Sequence, residues 1–195
     1  MTDPVESAPA RPNHLFVISG PSGAGKGSIA NGVVERVDKL WLSRSWTTRS
    51  PRQGEPPDAY TFVDRATFED HVAAGGFLEW SAHFDNLYGT PIPVPPEGHD
   101  VLLEIDVNGA RQVRAKRPDA VLLLILAPSR QAQEDRLRGR GDTESTIASR
   151  LARAEEEERV GRELADHVVI NDDLGRAIDE VVGILESARR SRQER

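Results

Sequence analysis

Cysteine is absent from the 195 residues. That excludes disulfides, thiolate-bound zinc and a cysteine nucleophile, and it agrees with a reducing cytosol, the compartment expected for this chain. No apolar run approaches the length of a membrane span, so no membrane partner is expected. An excess of basic residues is also lacking: 25 Lys and Arg stand against 32 Asp and Glu, a net charge of -7, which argues against a general nucleic-acid binder. There is no internal repeat, and the first 13 residues contain no apolar core of a signal peptide.

What is present is the composition of one soluble globular domain, 37% hydrophobic and 29% charged. Met1 to Asn13 is rich in proline and mixed in charge and reads as a disordered leader. Arg189 to Arg195 reads as a basic tail, the solvated and fraying end of a helix. Between them, strand and helix patterns alternate. His14 to Ser19 is a short apolar strand, and Ser28 to Val37 has helical spacing. Ser43 to Trp46 reads as a short strand, Thr47 to Ala59 as an exposed loop, Tyr60 to Val63 as a strand, Ala66 to Ala74 as a helix and Phe77 to Ser81 as a strand. Pro91 to Gly98 is too proline-rich for helix and reads as a connection between lobes. Val101 to Ile105 and Ala120 to Ala127 read as buried parallel strands around a helix at Asn108 to Lys116. Helices at Arg130 to Arg138 and Glu144 to Ala165, a strand at His167 to Ile170 and a helix at Leu174 to Ala188 complete the pattern. It predicts a three-layer α/β domain with a mostly parallel central sheet.

Two constellations carry chemistry. Gly20, Pro21, Ser22, Gly23, Ala24, Gly25, Lys26, Gly27 and Ser28 spell GPSGAGKGS between the first strand and the first helix. Glycines there let backbone N–H groups turn around phosphate oxygens while Lys26 reaches the β- and γ-phosphates, and the helix N-terminus adds a favourable dipole. The hydroxyl that normally follows the lysine and helps to hold Mg²⁺ is missing at Gly27, which leaves Ser28 as the candidate. The second constellation is Arg49 and Arg52, three apart in a loop before Glu55 and Tyr60, where planar guanidinium forks suit a phosphate. A triphosphate loop and a separate clamp imply a donor and an acceptor, both phosphorylated.

In order along the chain stand GPSGAGK, TTRSPRQGE followed by Tyr60, FLEW at Phe77 to Trp80, YGT at Tyr88 to Thr90, EID at Glu104 to Asp106, RLRGRG at Arg136 to Gly141 and VIND at Val169 to Asp172. With these motifs the sequence resembles the guanylate kinases over about His14 to Glu186. The resemblance implies a P-loop NTPase fold over residues 14–188, with a mobile GMP-binding lobe at about 45–98 and a lid at about 136–150. It implies ATP as phosphate donor, Mg²⁺ as cofactor and GMP as acceptor. It assigns Arg49, Arg52, Tyr60 and Tyr88 to the GMP phosphate with Glu55 nearby, Ser45, Glu79 and Thr90 to guanine, and Asp106 to the base or the metal. Lys26, Arg136, Arg140 and Arg150 fall to the transferring phosphoryl group, and Asn171 lies near adenine. Glu79 is supported by chemistry as well. Guanine offers N1–H and N2–H₂ donors side by side, whereas adenine presents an acceptor at N1, so a carboxylate attracts one base and repels the other. The run Glu155 to Glu158 reads as a solvated helix face.

Two segments depart from the family pattern. Glu55 to Tyr60 is shorter, which motivates the expectation of a displaced Tyr60, and Pro91 to Asp100 is abbreviated and proline-rich. Two other functions stay open at this point: a related kinase with a different acceptor, and a binding module without catalysis.

Overall fold

The computed structural model describes residues 14–51, 54–83 and 85–193. The leader lies outside them. The described chain runs β1 (Leu15–Ser19), α1 (Lys26–Val34), β2 (Leu40–Leu42), β3 (Trp46–Thr47), β4 (Thr61–Phe62), α2 (Arg65–Ala73), β5 (Phe77–His83) and β6 (Asn86–Pro91). It continues through β7 (Asp100–Glu104), α3 (Val107–Lys116), β8 (Val121–Leu126), α4 (Arg130–Gly139), α5 (Glu144–Leu164), β9 (His167–Ile170) and α6 (Leu174–Gln193).

Five strands form the central sheet in the order β2-β7-β1-β8-β9, and every pairing in it is parallel. Parallel strands covered on both faces need apolar side chains throughout, which is what LFVIS and VLLLIL supply. Alternation then sorts them by face. Phe16 and Ile18 pack with Ile29 and Val33 of α1 and Ile178 and Val181 of α6, while Leu15 and Val17 pack with Ala110 and Val113 of α3. Leu124 and Leu126 meet Val160 and Leu164 of α5. These contacts make the three layers expected from the sequence.

A second sheet of four strands, β4-β3-β6-β5, follows the first α/β unit. It has its own small core, in which the Phe68 and Phe77 rings stack at 4.5 Å beside Leu87. The strand expected at Ser43 to Trp46 is divided differently: Leu40–Leu42 joins the central sheet as β2, and only Trp46–Thr47 enters the second sheet as β3. Residues 92–96 form neither helix nor strand. The α4 and α5 helices enclose a further apolar cluster of Leu137, Ile147 and Leu151.

At the chain's far end the expected helix terminus is present, but at Arg189 it is held by partners rather than solvated. Helix α6 continues through it, and its guanidinium donates to Asp100 Oδ2 at 2.7 Å and to the Asp38 carbonyl at 2.9 Å. Asp100 is buried and also accepts from the His14 backbone N–H at 2.8 Å. A buried carboxylate needs such partners, and here they tie β1, β7 and α6 together.

Candidate active site

The C-terminal ends of β1 and β7 open into one cavity, as expected for ligand sites in parallel α/β sheets. On the β1 side, the loop enters α1 through Gly25, whose φ of 93° is left-handed and whose missing Cβ would otherwise sit 2.2 Å from Asn171 Nδ2. Helices α2, α3, α4 and α5 are each capped by a side chain, from Asp64, Asp106, Ser129 and Thr143. Helix α1 has no side-chain cap, so its first N–H groups are left for an anion. Lys26 donates to the carbonyls of Gly20 at 2.8 Å and Pro21 at 3.3 Å, and its Nζ stands 4.0 Å from Glu104.

The loop is braced from behind. Asn171 is buried and donates to the Ala24 carbonyl at 2.8 Å; Arg136 donates to the carbonyls of Ala24 at 3.2 Å and Asn171 at 2.7 Å. Gln133 holds the Ser22 carbonyl at 2.6 Å. Arg136 and Asn171 are therefore part of the loop's support rather than of the cavity wall. From the far side, Arg150 reaches Ser22 Oγ at 3.4 Å and Asp142 at 3.7 Å, and Arg140 lines the cavity with a side chain that has no hydrogen-bond partner among the described residues.

The second sheet supplies the opposite wall. Arg49 makes a two-pronged ion pair with Glu55, at 2.7 and 2.9 Å, with both side chains largely buried. Its Cζ lies 5.4 Å from the Tyr60 ring centroid, and that ring lies 6.1 Å from Tyr88. Burial pulls the Arg49 pKa down, but the Glu55 and Tyr88 hydrogen bonds and charges outweigh it and the net shift is upward. Burial also raises the Tyr60 pKa. Tyr60 lines the cavity beside Arg49 and Tyr88 despite the short connection. Arg52 lies outside the described residues.

Deeper in this wall, Glu79 is buried at 4% exposure and accepts from Thr90 Oγ1 at 2.6 Å. Thr90 has one hydroxyl proton, so the 3.2 Å contact with Ser45 is donated by Ser45. Burial pushes the Glu79 pKa up to about 7, with Asp106 adding to the rise and Thr90 and Lys116 opposing it. Asp106 caps α3 by accepting from Gly109 N at 2.7 Å and takes a second bond from Ser81 Oγ at 2.9 Å.

The cavity thus gathers Gly20, Ser22, Gly23, Gly25, Lys26 and Gly27 with Ser45, Arg49, Tyr60, Glu79 and Tyr88. Pro21, Ala24, Glu55 and Thr90 support these groups from behind. Ser28 is exposed and outside the cavity, whereas Gly27 faces it, with Glu104 Oε2 3.9 Å from where a Cβ would stand. The expected solvated face at Glu155 to Glu158 is corrected at Glu157, which lines the cavity and is half-buried. Burial raises its pKa, while the charge of Lys26 opposes the rise. Sequence reasoning gave no role to Ser81, Glu104 or Glu157. Ser81 was within reach of it, since residues two apart on a strand share a face and Glu79 was already placed.

Comparisons with known proteins agree with this geometry. A family model described as guanylate kinase matches residues 12–188. A guanylate kinase of Synechococcus sp. (strain CC9902) is 47% identical over 178 residues, covering 88% of this chain and 95% of the relative. One from Xanthomonas oryzae pv. oryzae is 46% identical over 185 residues, covering 92% of this chain and 91% of the relative. The crystal structure of guanylate kinase from Anaplasma phagocytophilum superposes with a TM-score of 0.74 at 28% identity, covering 92% of this chain and 88% of that one. With a family match over nearly its whole length, and with a phosphate loop facing an arginine and carboxylate wall, the chain belongs to the guanylate kinase family.

Proposed function

We propose that the chain transfers the γ-phosphoryl group of ATP to GMP, giving ADP and GDP. The observation that carries this reading is that a single cavity is lined by Lys26 and the phosphate loop on one side and by Arg49, Tyr60, Tyr88 and Glu79 on the other. The β- and γ-phosphates of ATP lie on the loop N–H groups, the uncapped start of α1 and Lys26. Lys26 exchanges its present carbonyl acceptors for phosphate oxygens.

The GMP phosphate docks on Arg49, Tyr60 and Tyr88, with Arg52 as a further donor from the same loop. Arg49 lines the cavity, and Glu55 holds its guanidinium in register for that phosphate. Guanine enters between Ser45, Glu79 and Thr90, with Asp106 beside them. The acceptor oxygen is already anionic, so no general base is required, and catalysis consists of alignment and charge neutralisation. Arg140 and Arg150 approach the transferring group from the α4 and α5 side, a task for which a binding module has no need.

Mg²⁺ fits the donor end of the cavity. Among the described residues no three His, Cys, Asp or Glu side chains converge on a cation site. Glu104 and Asp106 do line the cavity, and one or two carboxylates with substrate phosphates are the usual setting for Mg²⁺. The ion, brought with ATP, would neutralise charge on the phosphates. The test is ADP release with a panel of acceptor nucleotides. GMP should far exceed AMP and CMP, by about 10⁴-fold for a site built on hydrogen bonds to one base. Comparable turnover of all three would remove guanine selection, and no turnover of any would favour a non-catalytic module.

A further inference from the structure

Gly109 stands in the first turn of α3, an ordinary helical position where glycine is the poorer helix former. Helix formation therefore gives no reason for it. Its surroundings do. A Cβ built on Gly109 would lie 2.5 Å from Glu79 Oε2, 3.0 Å from Glu79 Cδ and 3.3 Å from Ile105 Cδ1. Glu79 cannot simply swing clear, because it is 4% exposed and its other oxygen is held by Thr90 at 2.6 Å. At the same residue, the Gly109 backbone N–H holds Asp106 Oδ1 at 2.7 Å, and Ser81 fixes Asp106 Oδ2. One residue thus sets two carboxylates, Asp106 through its N–H and Glu79 through the space where a side chain would be.

We propose that Gly109 is a specificity-determining residue that holds Glu79 and Asp106 at the separation required to read guanine. The inference rests on Glu79 as the base-reading carboxylate. Gly109 touches neither phosphate nor base; it acts through the two acids as a positioning residue. Any side chain at 109 pushes Glu79 Oε2 toward the cavity, since dense packing leaves it no other direction without moving α3. A hydrogen-bonding group displaced in this way loses geometry matched to the N1–H and N2–H₂ pair, while the phosphate loop on the other wall is unaffected.

The experiment compares Gly109→Ala with Glu79→Gln, Glu79→Asp, the Gly109→Ala/Glu79→Asp pair and a control, Gly183→Ala, whose Cβ would meet nothing within 4 Å. Gly109→Ala should raise KM for GMP by about 10- to 100-fold, the cost of a misplaced binding group, with kcat within about threefold and KM for ATP unchanged. Its preference for GMP over AMP should fall in parallel. The shorter aspartate vacates the space the new methyl needs, so the double variant should bind GMP more tightly than the product of the single effects. Gly183→Ala should match the parent protein. A KM for GMP within about twofold of the parent in Gly109→Ala overturns the proposal and leaves Glu79 as reader if Glu79→Gln loses selection. A fall in thermal midpoint with equal losses toward ATP and GMP also overturns it, reducing Gly109 to a packing residue. Retained GMP selection in Glu79→Gln removes the base-reading role itself, and the proposal with it.

Discussion

Among single residues, Glu79 carries the sharpest test because its chemistry depends on pH. Guanine donors need an ionised acceptor, yet burial holds Glu79 near pH 7. GMP binding should therefore expel a proton around neutrality. Its affinity should climb as pH rises through about 7, by at most about tenfold per pH unit, and level off above. The GMP phosphate also titrates near pH 6, so Glu79→Gln serves as the reference: the difference between the two pH profiles belongs to Glu79. The same raised pKa acts on folding with a definite sign. The folded chain holds this proton where the unfolded chain has lost it, so the contribution is fully present below pH 4.5 and is lost as pH rises through about 7. Calorimetry of GMP binding in buffers of different ionisation enthalpy measures the released proton; zero release at pH 7 contradicts this assignment. Most of the residues around Glu79 were legible in the sequence, since Lys26, Arg49, Tyr60 and Glu79 stand in recognisable motifs. Glu157 was not. It sits in a run of four acids whose local pattern is that of a solvated helix face, and only the packing of α5 turns this one into the cavity.

Elements divide the work between walls. The second sheet presents the acceptor side, and α4, α5 and their connection bring arginines to the donor side. Arg140 closes α4 as its C-terminal cap through its backbone N–H, while its guanidinium has no partner among the described residues, so its charge is not committed to folding. Its neighbour Arg138 is engaged with Glu134 and Glu144 instead. Arg140→Ala should lower kcat by about 10² to 10³, the usual cost of losing one preorganised electrostatic contact, and leave the thermal midpoint unchanged. Steady-state kinetics beside a melting curve checks it; near-normal turnover removes Arg140 from the mechanism. The alternating elements of the central sheet were legible because LFVIS and VLLLIL are buried on both faces. Strand β6 was not, because Gly89 and Pro91 read locally as turn residues. Its pairing with β5 overrides that preference, and Gly89 is the residue that lets Phe68 and Phe77 approach, with a Cβ there falling 2.9 to 3.0 Å from their rings. Strand β2 is only three residues long, too short for any period to register.

At the scale of the molecule, the closing helix and the first strand share one ion network far from the chemistry. Arg189, His14 and Asp100 meet at the end of the sheet opposite the cavity. Removing the guanidinium leaves a buried carboxylate short of a donor, so Arg189→Ala should destabilise the fold by about 2 kcal/mol with turnover unchanged. Denaturant unfolding with a parallel activity assay checks both halves. Among the described residues no helix is long and apolar enough to cross a membrane. The site that defines the molecule joins a donor loop to an acceptor wall, and the central claim is direct transfer between the two. The most direct measurement incubates the protein with ATP carrying an isotopic label in its γ-phosphoryl group, with Mg²⁺ and GMP, and locates the label by mass spectrometry. The account predicts the label in the β-phosphate of GDP; label found in inorganic phosphate, with GMP unchanged, would contradict it.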